Sequence, residues 1–293
     1  MRLFQRDGVR KVDEMIKIPG RIGAINDLSG FGRCSLSLML PVISACGYQC
    51  CPVPTAVLST SNDFKSPFLR ELTEDMPDYI SHWEGLGLKF QGIYSGYFSS
   101  PRQIAHAVRF AESFRKEETV FLVDPVMGDR GKISPRCNED FMRGYYDLLA
   151  KADIVTPNLT EALYLTEIPY VEFPAEDTID RAARRLMEAG PSQVVITGIR
   201  KEDRSLTYLY SGSERQIVSV PYCPQERTGT GDLFASILLC KYLDGKSLGE
   251  GAQLAAEFIS EVLTGTMKLG VPVNEGICFE PFLGRLCPGP GTR

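Results

Sequence analysis

Residues 120–129 read VFLVDPVMGD, an apolar tetrapeptide followed at once by the acidic residues Asp124 and Asp129. A short run that is apolar at every position is typical of a strand buried on both faces, as in a parallel sheet. The two carboxylates therefore lie at the carboxyl end of a predicted strand. Because ligands of such sheets bind beyond the carboxyl ends of the strands, this tip is a candidate site.

The same pattern recurs along the chain, since each apolar run is followed by a longer segment with helical periodicity. The other predicted strands cover 21–26, 51–58, 92–94, 154–156 and 194–197. One predicted helix covers 67–85, and an antiparallel hairpin is predicted over 206–220. We therefore predict an α/β fold, a three-layer sandwich with a mostly parallel central sheet covered by helices on both faces.

No repeat, low-complexity tract or Pro/Ser-rich linker divides the 293 residues. We predict a single domain over residues 21–285. It is preceded by an amino-terminal arm at 1–20 and followed by a flexible tail at 286–293.

Composition narrows the classes of function. The 32 basic and 37 acidic side chains leave a net charge of −5, which argues against a nucleic-acid-binding scaffold. No apolar run approaches the ~20 residues that cross a bilayer, so no membrane partner is expected. The nine cysteines show no C-x-x-C pair and are predicted to be free thiols in the cytoplasm. Two histidines are too few for a multi-histidine metal site and argue against a histidine triad.

A glycine-rich turn precedes a predicted helix late in the chain. Gly229, Thr230 and Gly231 come directly before Asp232, and the helix follows at 233–242. Two glycines allow a tight turn whose N–H groups form a nest for an anion, reinforced by the helix dipole. Asp232 stands beside that nest, where it would accept a proton from an attacking hydroxyl. An ordinary helix cap with a plain turn is the alternative.

A second acidic segment supports the first. Asn158 follows the predicted strand at 154–156, and Glu161 lies one helical turn later. With Asp124, these oxygen ligands suit a hydrated magnesium ion bound to polyphosphate. Alone, Asn158 and Glu161 would also suit a helix N-cap with an acidic first turn.

Together these motifs resemble the ribokinase-like superfamily. The matching segments are DPVMGD at 124–129, ADIVTPN at 152–158 with Glu161, the residues at 195–198, and GTGD at 229–232. Within the superfamily the chain looks most like the pyridoxal/pyridoxamine kinases, over about residues 22–265. The resemblance implies transfer of the ATP γ-phosphate to a hydroxymethyl group on a pyridine ring, with Mg²⁺. It also implies a homodimer and leaves open a monovalent cation such as K⁺.

The short connection between the first predicted strand and the first predicted helix agrees with the resemblance to pyridoxal/pyridoxamine kinases. Sugar kinases of the superfamily insert a small sheet as a lid soon after the first strand. Only eight residues separate Asn26 from the predicted helix at Ser35, which is too short for several strands. The resemblance therefore implies a fold without a large inserted lid.

The resemblance assigns roles to residues that match the family's motifs. Asp232 matches the catalytic base, and Gly229, Thr230 and Gly231 match the anion hole. Asp124 and Glu161 match positions near magnesium. The ATP-contacting positions are Asp124, Asp129, Asn158, Glu161, Thr197 and Gly198. The vitamer would lie against Asp27, Ser59, Asn62 and Tyr97; better-known pyridoxal kinases have serine where Asp27 aligns.

Two alternatives stay open. A hydroxymethylpyrimidine kinase would perform the same chemistry on another heteroaromatic alcohol. A catalytically silent vitamin or nucleotide sensor would share the fold, although the complete motif at 229–232 argues against it.

Overall fold

The structure is a computed structural model that describes residues 18–225 and 227–288. The predicted arm and tail fall largely outside these ranges. Within them, the chain alternates strands and helices, as the sequence pattern predicts. The strands are β1 Arg21–Phe31, β2 Gln49–Thr60, β3 Leu69–Glu71, β4 Gly92–Ser95, β5 Val120–Val123, β6 Gly128–Asp129, β7 Lys132–Ile133, β8 Ile154–Val155, β9 Gln193–Lys201, β10 Arg204–Ser211 and β11 Glu214–Pro221.

Helices connect the strands and cover both faces of the sheet. One face carries α2 to α6, and the other carries α1, α7 and α8. The helices are α1 Ser35–Ala45, α2 Met76–Gly85, α3 Pro101–Phe114, α4 Glu139–Leu149, α5 Leu159–Leu165, α6 Glu176–Glu188, α7 Thr230–Leu243 and α8 Leu248–Lys268, with short 3₁₀ turns at Val273–Glu275 and Glu280–Arg285.

The central sheet is mostly parallel. In the described ranges its strand order is β11-β10-β9-β8-β5-β4-β1-β2-β3. The six strands from β9 to β2 run parallel, so their carboxyl ends meet at one edge of the sheet. The three-layer α/β sandwich predicted from the sequence is confirmed.

Antiparallel strands close both ends of the sheet. The predicted hairpin is present as β10 and β11, and β10 also pairs antiparallel with β9. The helix predicted over 67–85 is wrong in its first half, because Leu69–Glu71 pairs antiparallel with β2 as strand β3. Only the second half, Met76–Gly85, is helical.

The first two strands extend beyond their neighbours on the site side. Their register shifts between Asn26 and Leu28, and pairing then continues to Phe31 and Thr60. Helix α1 starts four residues after β1 ends, which leaves no room for an inserted lid. No helix within the described residues is both long and apolar enough to span a membrane.

Candidate active site

Helix α7 begins inside the glycine turn, at Thr230, in the region where the sequence predicts an anion nest. Gly229 precedes the helix with φ +93°, a left-handed conformation that favours glycine. A Cβ atom at this position would collide with the carbonyl oxygen of Arg33. No described side chain caps α7, so its first-turn N–H groups are available to an anion.

Asp232 lies in that first turn and is held by three donors. The main-chain N–H of Ser35 donates to Oδ2 at 2.8 Å, and the Asn26 amide donates to Oδ1 at 3.0 Å. The Tyr94 hydroxyl lies 3.4 Å from Oδ1. Burial nevertheless raises the pKa of Asp232 to about 6. The carboxyl is therefore held in one orientation and is mostly ionised at neutral pH, as a general base requires.

Asn26 connects the middle of β1 to the residues that follow β4. Its Oδ1 atom accepts from the main-chain N–H groups of Asp27 at 3.0 Å and Tyr97 at 2.8 Å. Its Nδ2 group donates to Asp232. A Cβ atom on Gly96 would lie 2.7 Å from the Asn26 side chain, so the neighbouring strand end packs closely against it.

Asp27 is a buried carboxylate held by two serines. Ser35 Oγ donates to Oδ1 at 2.6 Å, and Ser29 Oγ donates to Oδ2 at 3.0 Å. Burial raises the pKa of Asp27 despite these bonds. Ser35 thus contacts Asp27 through its hydroxyl and Asp232 through its backbone, and it does so in a left-handed conformation with φ +50°.

Tyr94 connects Asp124 and Asp232 through its hydroxyl. The fully buried Tyr94 hydroxyl donates to Asp124 Oδ2 at 2.9 Å and approaches Asp232. Burial and the nearby Asp232 carboxylate raise the pKa of Asp124 to about 7. The buried Asp124 carboxyl and the partly exposed Asp232 carboxyl both lie within reach of one hydroxyl, and such a pair favours a cation between or beside them.

Glu161 organises the backbone around the DPVMGD segment. One carboxylate oxygen accepts from Met127 N at 3.0 Å and Gly128 N at 3.4 Å, and the other accepts from Asn158 N at 2.9 Å. Asn158 Oδ1 in turn accepts a hydrogen bond from Glu161 N, which completes a capping box at α5. Burial, followed by the charge of Asp124, raises the pKa of Glu161 well above its usual value.

The other positions predicted to contact ATP lie in β9 and in the β6–β7 hairpin. Thr197 N donates to Pro157 O at 3.0 Å, which places Thr197 beside Asn158. Gly198 follows with φ +73° and is exposed. Asp129 is exposed in the β6–β7 hairpin, where it accepts from Arg130 N. Residues 128–133 therefore form a short hairpin.

The four predicted vitamer contacts fall into two groups. Tyr97 lies beside Asp27, since both main-chain N–H groups donate to Asn26, and the Tyr97 hydroxyl accepts from Arg136. Ser59 is exposed near the end of β2 and Asn62 is exposed just after it, and Ser59 Oγ accepts from Phe68 N at 2.9 Å. That bond serves the β2–β3 hairpin, so the structure brings Asp27 and Tyr97, but not Ser59, into the Asp232 network.

Three residues of this network carry no role in the sequence analysis: Asn26, Ser35 and Tyr94. Asn26 had a usable signal, because it is the first polar residue after the apolar run at 22–25. Tyr94 lies within an apolar run and Ser35 within a predicted helix, where their types are ordinary. Only the packing of distant strand ends shows that they contact the acids.

The described residues offer a magnesium ion few protein ligands. No cluster of three or more His, Cys, Asp or Glu side chains is arranged for metal binding within them. Asp124 fits a magnesium role, because its buried charge would be stabilised by a cation. Both oxygens of Glu161 are occupied by backbone donors, so this residue fits an indirect role through water.

Comparison with known proteins agrees with this geometry. The phosphomethylpyrimidine kinase family matches residues 89–276, a segment that contains Asp124, Glu161 and Asp232. The chain belongs to this family. A Bacteroides thetaiotaomicron structure described as a candidate phosphomethylpyrimidine kinase, crystallised with pyridoxal, is 35% identical with a TM-score of 0.88. The alignment covers 92% of this chain and 96% of that one, so the ribokinase-like fold implied by the motifs is confirmed.

The curated relatives include both pyridoxal kinases and a hydroxymethylpyrimidine kinase. Pyridoxal kinase PdxY of Pasteurella multocida is 33% identical over 189 residues, 60% of this chain and 63% of that protein. A hydroxymethylpyrimidine/phosphomethylpyrimidine kinase of Bacillus subtilis is 31% identical over 152 residues, 51% of this chain and 55% of that protein. The chain thus spans less than two thirds of either relative's length.

Proposed function

We propose that this family member is an ATP-dependent kinase that phosphorylates the hydroxymethyl group of pyridoxal, pyridoxamine or pyridoxine. The observation that carries the proposal is the position of Asp232, a partly exposed carboxylate in the first turn of an uncapped helix. A proton acceptor and an anion site then lie side by side, which is what phosphoryl transfer to an alcohol needs.

Asp232 accepts the proton of the substrate hydroxyl in this mechanism. Its pKa of about 6 keeps it ionised at neutral pH while leaving it a competent base. Asn26 and Ser35 direct its two oxygens, so the carboxylate does not have to reorient during the reaction. General-base assistance of this kind contributes roughly 10²–10⁴-fold to the rate.

The nest formed by Gly229, Thr230 and Gly231 stabilises the phosphoryl group in transfer. Backbone N–H groups at a helix start bind an anion without reorganisation and without a side-chain charge. Magnesium neutralises charge on the phosphate oxygens when it is bound. Asp124 would hold that ion or its water shell, and Glu161 would act through water.

ATP then extends from the nest across the neighbouring strand ends. Asn158, Thr197 and Gly198 line that path, and the hairpin carrying Asp129 borders it. The Asn158 side chain already caps α5 and donates to Gly128 O at 2.8 Å. We therefore expect Asn158 to shape the nucleotide site more than to contact the nucleotide.

The ring binds on the Asp27 side of Asp232. Asp27 would accept a hydrogen bond from the protonated ring nitrogen or from the 3-hydroxyl, and Tyr97 would pack beside it. The related structure crystallised with pyridoxal supports a pyridine ring. The matched family and the Bacillus subtilis relative favour hydroxymethylpyrimidine as the second candidate substrate. The homodimer, the cytoplasmic location and contacts from Ser59 and Asn62 stay predictions.

A competition assay separates these candidates. The purified chain, with ATP and Mg²⁺, is given pyridoxal, pyridoxamine, pyridoxine and hydroxymethylpyrimidine together, and the phosphorylated products are quantified by mass spectrometry. We expect the pyridine vitamers to exceed the pyrimidine by about tenfold or more in kcat/KM. A reversed preference would select the pyrimidine kinase. Binding of a vitamer without any product would indicate the silent sensor.

A further inference from the structure

A buried arginine stands at the entrance to the glycine turn. Arg227 comes two residues before Gly229 and is 6% exposed. Its guanidinium donates to the carbonyl oxygens of Pro272 at 2.8 Å, Gly276 at 3.1 Å and Val271 at 2.8 Å. Its other partner is Gln225 Oε1 at 3.4 Å, and no carboxylate of residues 18–225 or 227–288 forms an ion pair with it.

The carbonyls that surround Arg227 belong to a segment docked on the same turn. Ile277 N donates to Thr228 O at 3.3 Å. A Cβ atom on Gly276 would lie 3.1 Å from Thr228 O, so the two backbones are in close contact. Segment 271–277 and the turn at 228–231 thus form one unit with the Arg227 guanidinium inside it.

The carbonyl oxygens around Arg227 resemble the ligands of an alkali-cation site, with the guanidinium in the position of the cation. Several main-chain carbonyl oxygens converging on one point are how proteins replace the hydration shell of K⁺. Here the guanidinium takes those oxygens, so the carbonyl set does not fit the monovalent cation left open by the sequence resemblance. A buried charge that no carboxylate of the described residues pairs is costly, and an anion bound at the adjoining turn would offset that cost.

We propose that the Arg227 guanidinium takes the place of a bound monovalent cation beside the turn at 228–231. It positions the turn through the three carbonyls and adds positive charge next to the phosphate nest. The inference rests on the proposed kinase function. It implies that nucleotide binding and turnover are independent of K⁺, and that removing the guanidinium creates a dependence on K⁺.

The test compares the wild-type protein with Arg227→Met in K⁺ and in tetramethylammonium at equal ionic strength. ADP affinity with Mg²⁺ is measured by calorimetry, and the thermal unfolding midpoint is measured without nucleotide. For the wild type we expect K⁺ to change ADP affinity by less than about twofold and to leave the midpoint unchanged. For Arg227→Met we expect about tenfold weaker ADP binding in tetramethylammonium, with K⁺ restoring most of it.

Arg33→Met is the matched control. Arg33 also contacts this segment, through Glu275 O at 3.2 Å, but its charge is paired with Glu280 at 2.7 Å. Loss of docking alone would affect both variants alike and would show no rescue by K⁺. Identical behaviour of the two variants would overturn the proposal.

The wild-type measurements decide the matter even if Arg227→Met does not fold. A K⁺-induced rise in the wild-type midpoint, or an increase of about tenfold in its ADP affinity, would show an open cation site and refute the inference. Failure of the kinase assay with all alcohols would instead remove the proposed function. The midpoint comparison would still test Arg227 in that case, because it requires neither nucleotide nor turnover.

Discussion

The Asn26 side-chain amide donates a 3.0 Å hydrogen bond to Asp232 Oδ1 across 206 positions of sequence. It joins the middle of β1, where the register with β2 shifts, to the first turn of α7. The Oδ1 atom of the same side chain accepts hydrogen bonds from two main-chain N–H groups. The proposed base is therefore oriented by the strand that also carries the proposed substrate contact.

Substitutions of Asn26 should change the pH dependence of activity. Asn26→Asp keeps the acceptor for both main-chain amides but places a second carboxylate against Asp232. Like charges at this distance raise the pKa of the base, so the acidic limb of kcat/KM should move to higher pH by about one unit or more. Asn26→Ala should lower kcat with a smaller shift. Equal shifts in the two variants would contradict this role for Asn26.

Asp232→Asn should remove the base while preserving the fold. We expect kcat to fall by roughly 10²–10⁴-fold and ADP affinity to stay within about threefold. Wild-type activity should decrease as pH falls below about 6, because protonated Asp232 cannot accept a proton. Asp147→Asn, on an exposed carboxylate of α4, is the control. More than about a tenth of normal kcat in Asp232→Asn would exclude the assignment.

Asp124 should destabilise the metal-free protein at neutral pH. Its pKa is about 7 in the folded state and 3.8 ordinarily, so the folded state holds the proton more tightly. This contribution to stability is present below pH 4 and is lost as pH rises to about 7. Asp124→Asn should therefore raise the unfolding free energy at pH 8 by on the order of 2–4 kcal/mol, and little at pH 4.

The measurement for Asp124 is chemical denaturation without Mg²⁺ or nucleotide. Nucleotide affinity in Mg²⁺ should fall in the same variant, since the proposed metal contact is lost. A variant that is equally destabilised at both pH values would show that Asp124 is a structural acceptor for Tyr94 and no more.

Gly229→Ala should disrupt the nest through a direct collision. The new Cβ atom would meet the Arg33 carbonyl oxygen in a residue that already has positive φ. We expect a loss of more than about 4 kcal/mol of stability, or loss of ADP binding in the protein that folds. Gly245→Ala is the matched control, because Gly245 has φ +83° with open space around its Cβ position. Conformational strain alone should cost it about 1–2 kcal/mol.

The comparison of these two alanine variants separates packing from conformation. If both lose the same stability, the close approach of Arg33 to the turn is unimportant. A selective loss of ADP binding in Gly229→Ala would support an anion site built from the backbone.

Local pattern was sufficient for the layers of the fold and for the glycine turn. All-apolar runs of four or five residues indicate strands buried on both faces, and GTGD before an apolar helix indicates a nest with an adjacent carboxylate. The strand at Leu69–Glu71 was missed because its pairing with β2 is long-range and its three residues have no period of their own.

The sequence by itself determined which elements form and which acids lie at strand ends, because burial periodicity and turn chemistry act over a few residues. Only the tertiary structure decided which of those acids accept hydrogen bonds from other side chains and which accept them from main-chain N–H groups. Tyr94 and Asn26 reach Asp232 because β4 and β1 are neighbours in the sheet and α7 starts at their ends. Glu161 instead directs both oxygens to main-chain N–H groups. Such choices depend on distances of about 3 Å between remote residues, which local pattern does not encode.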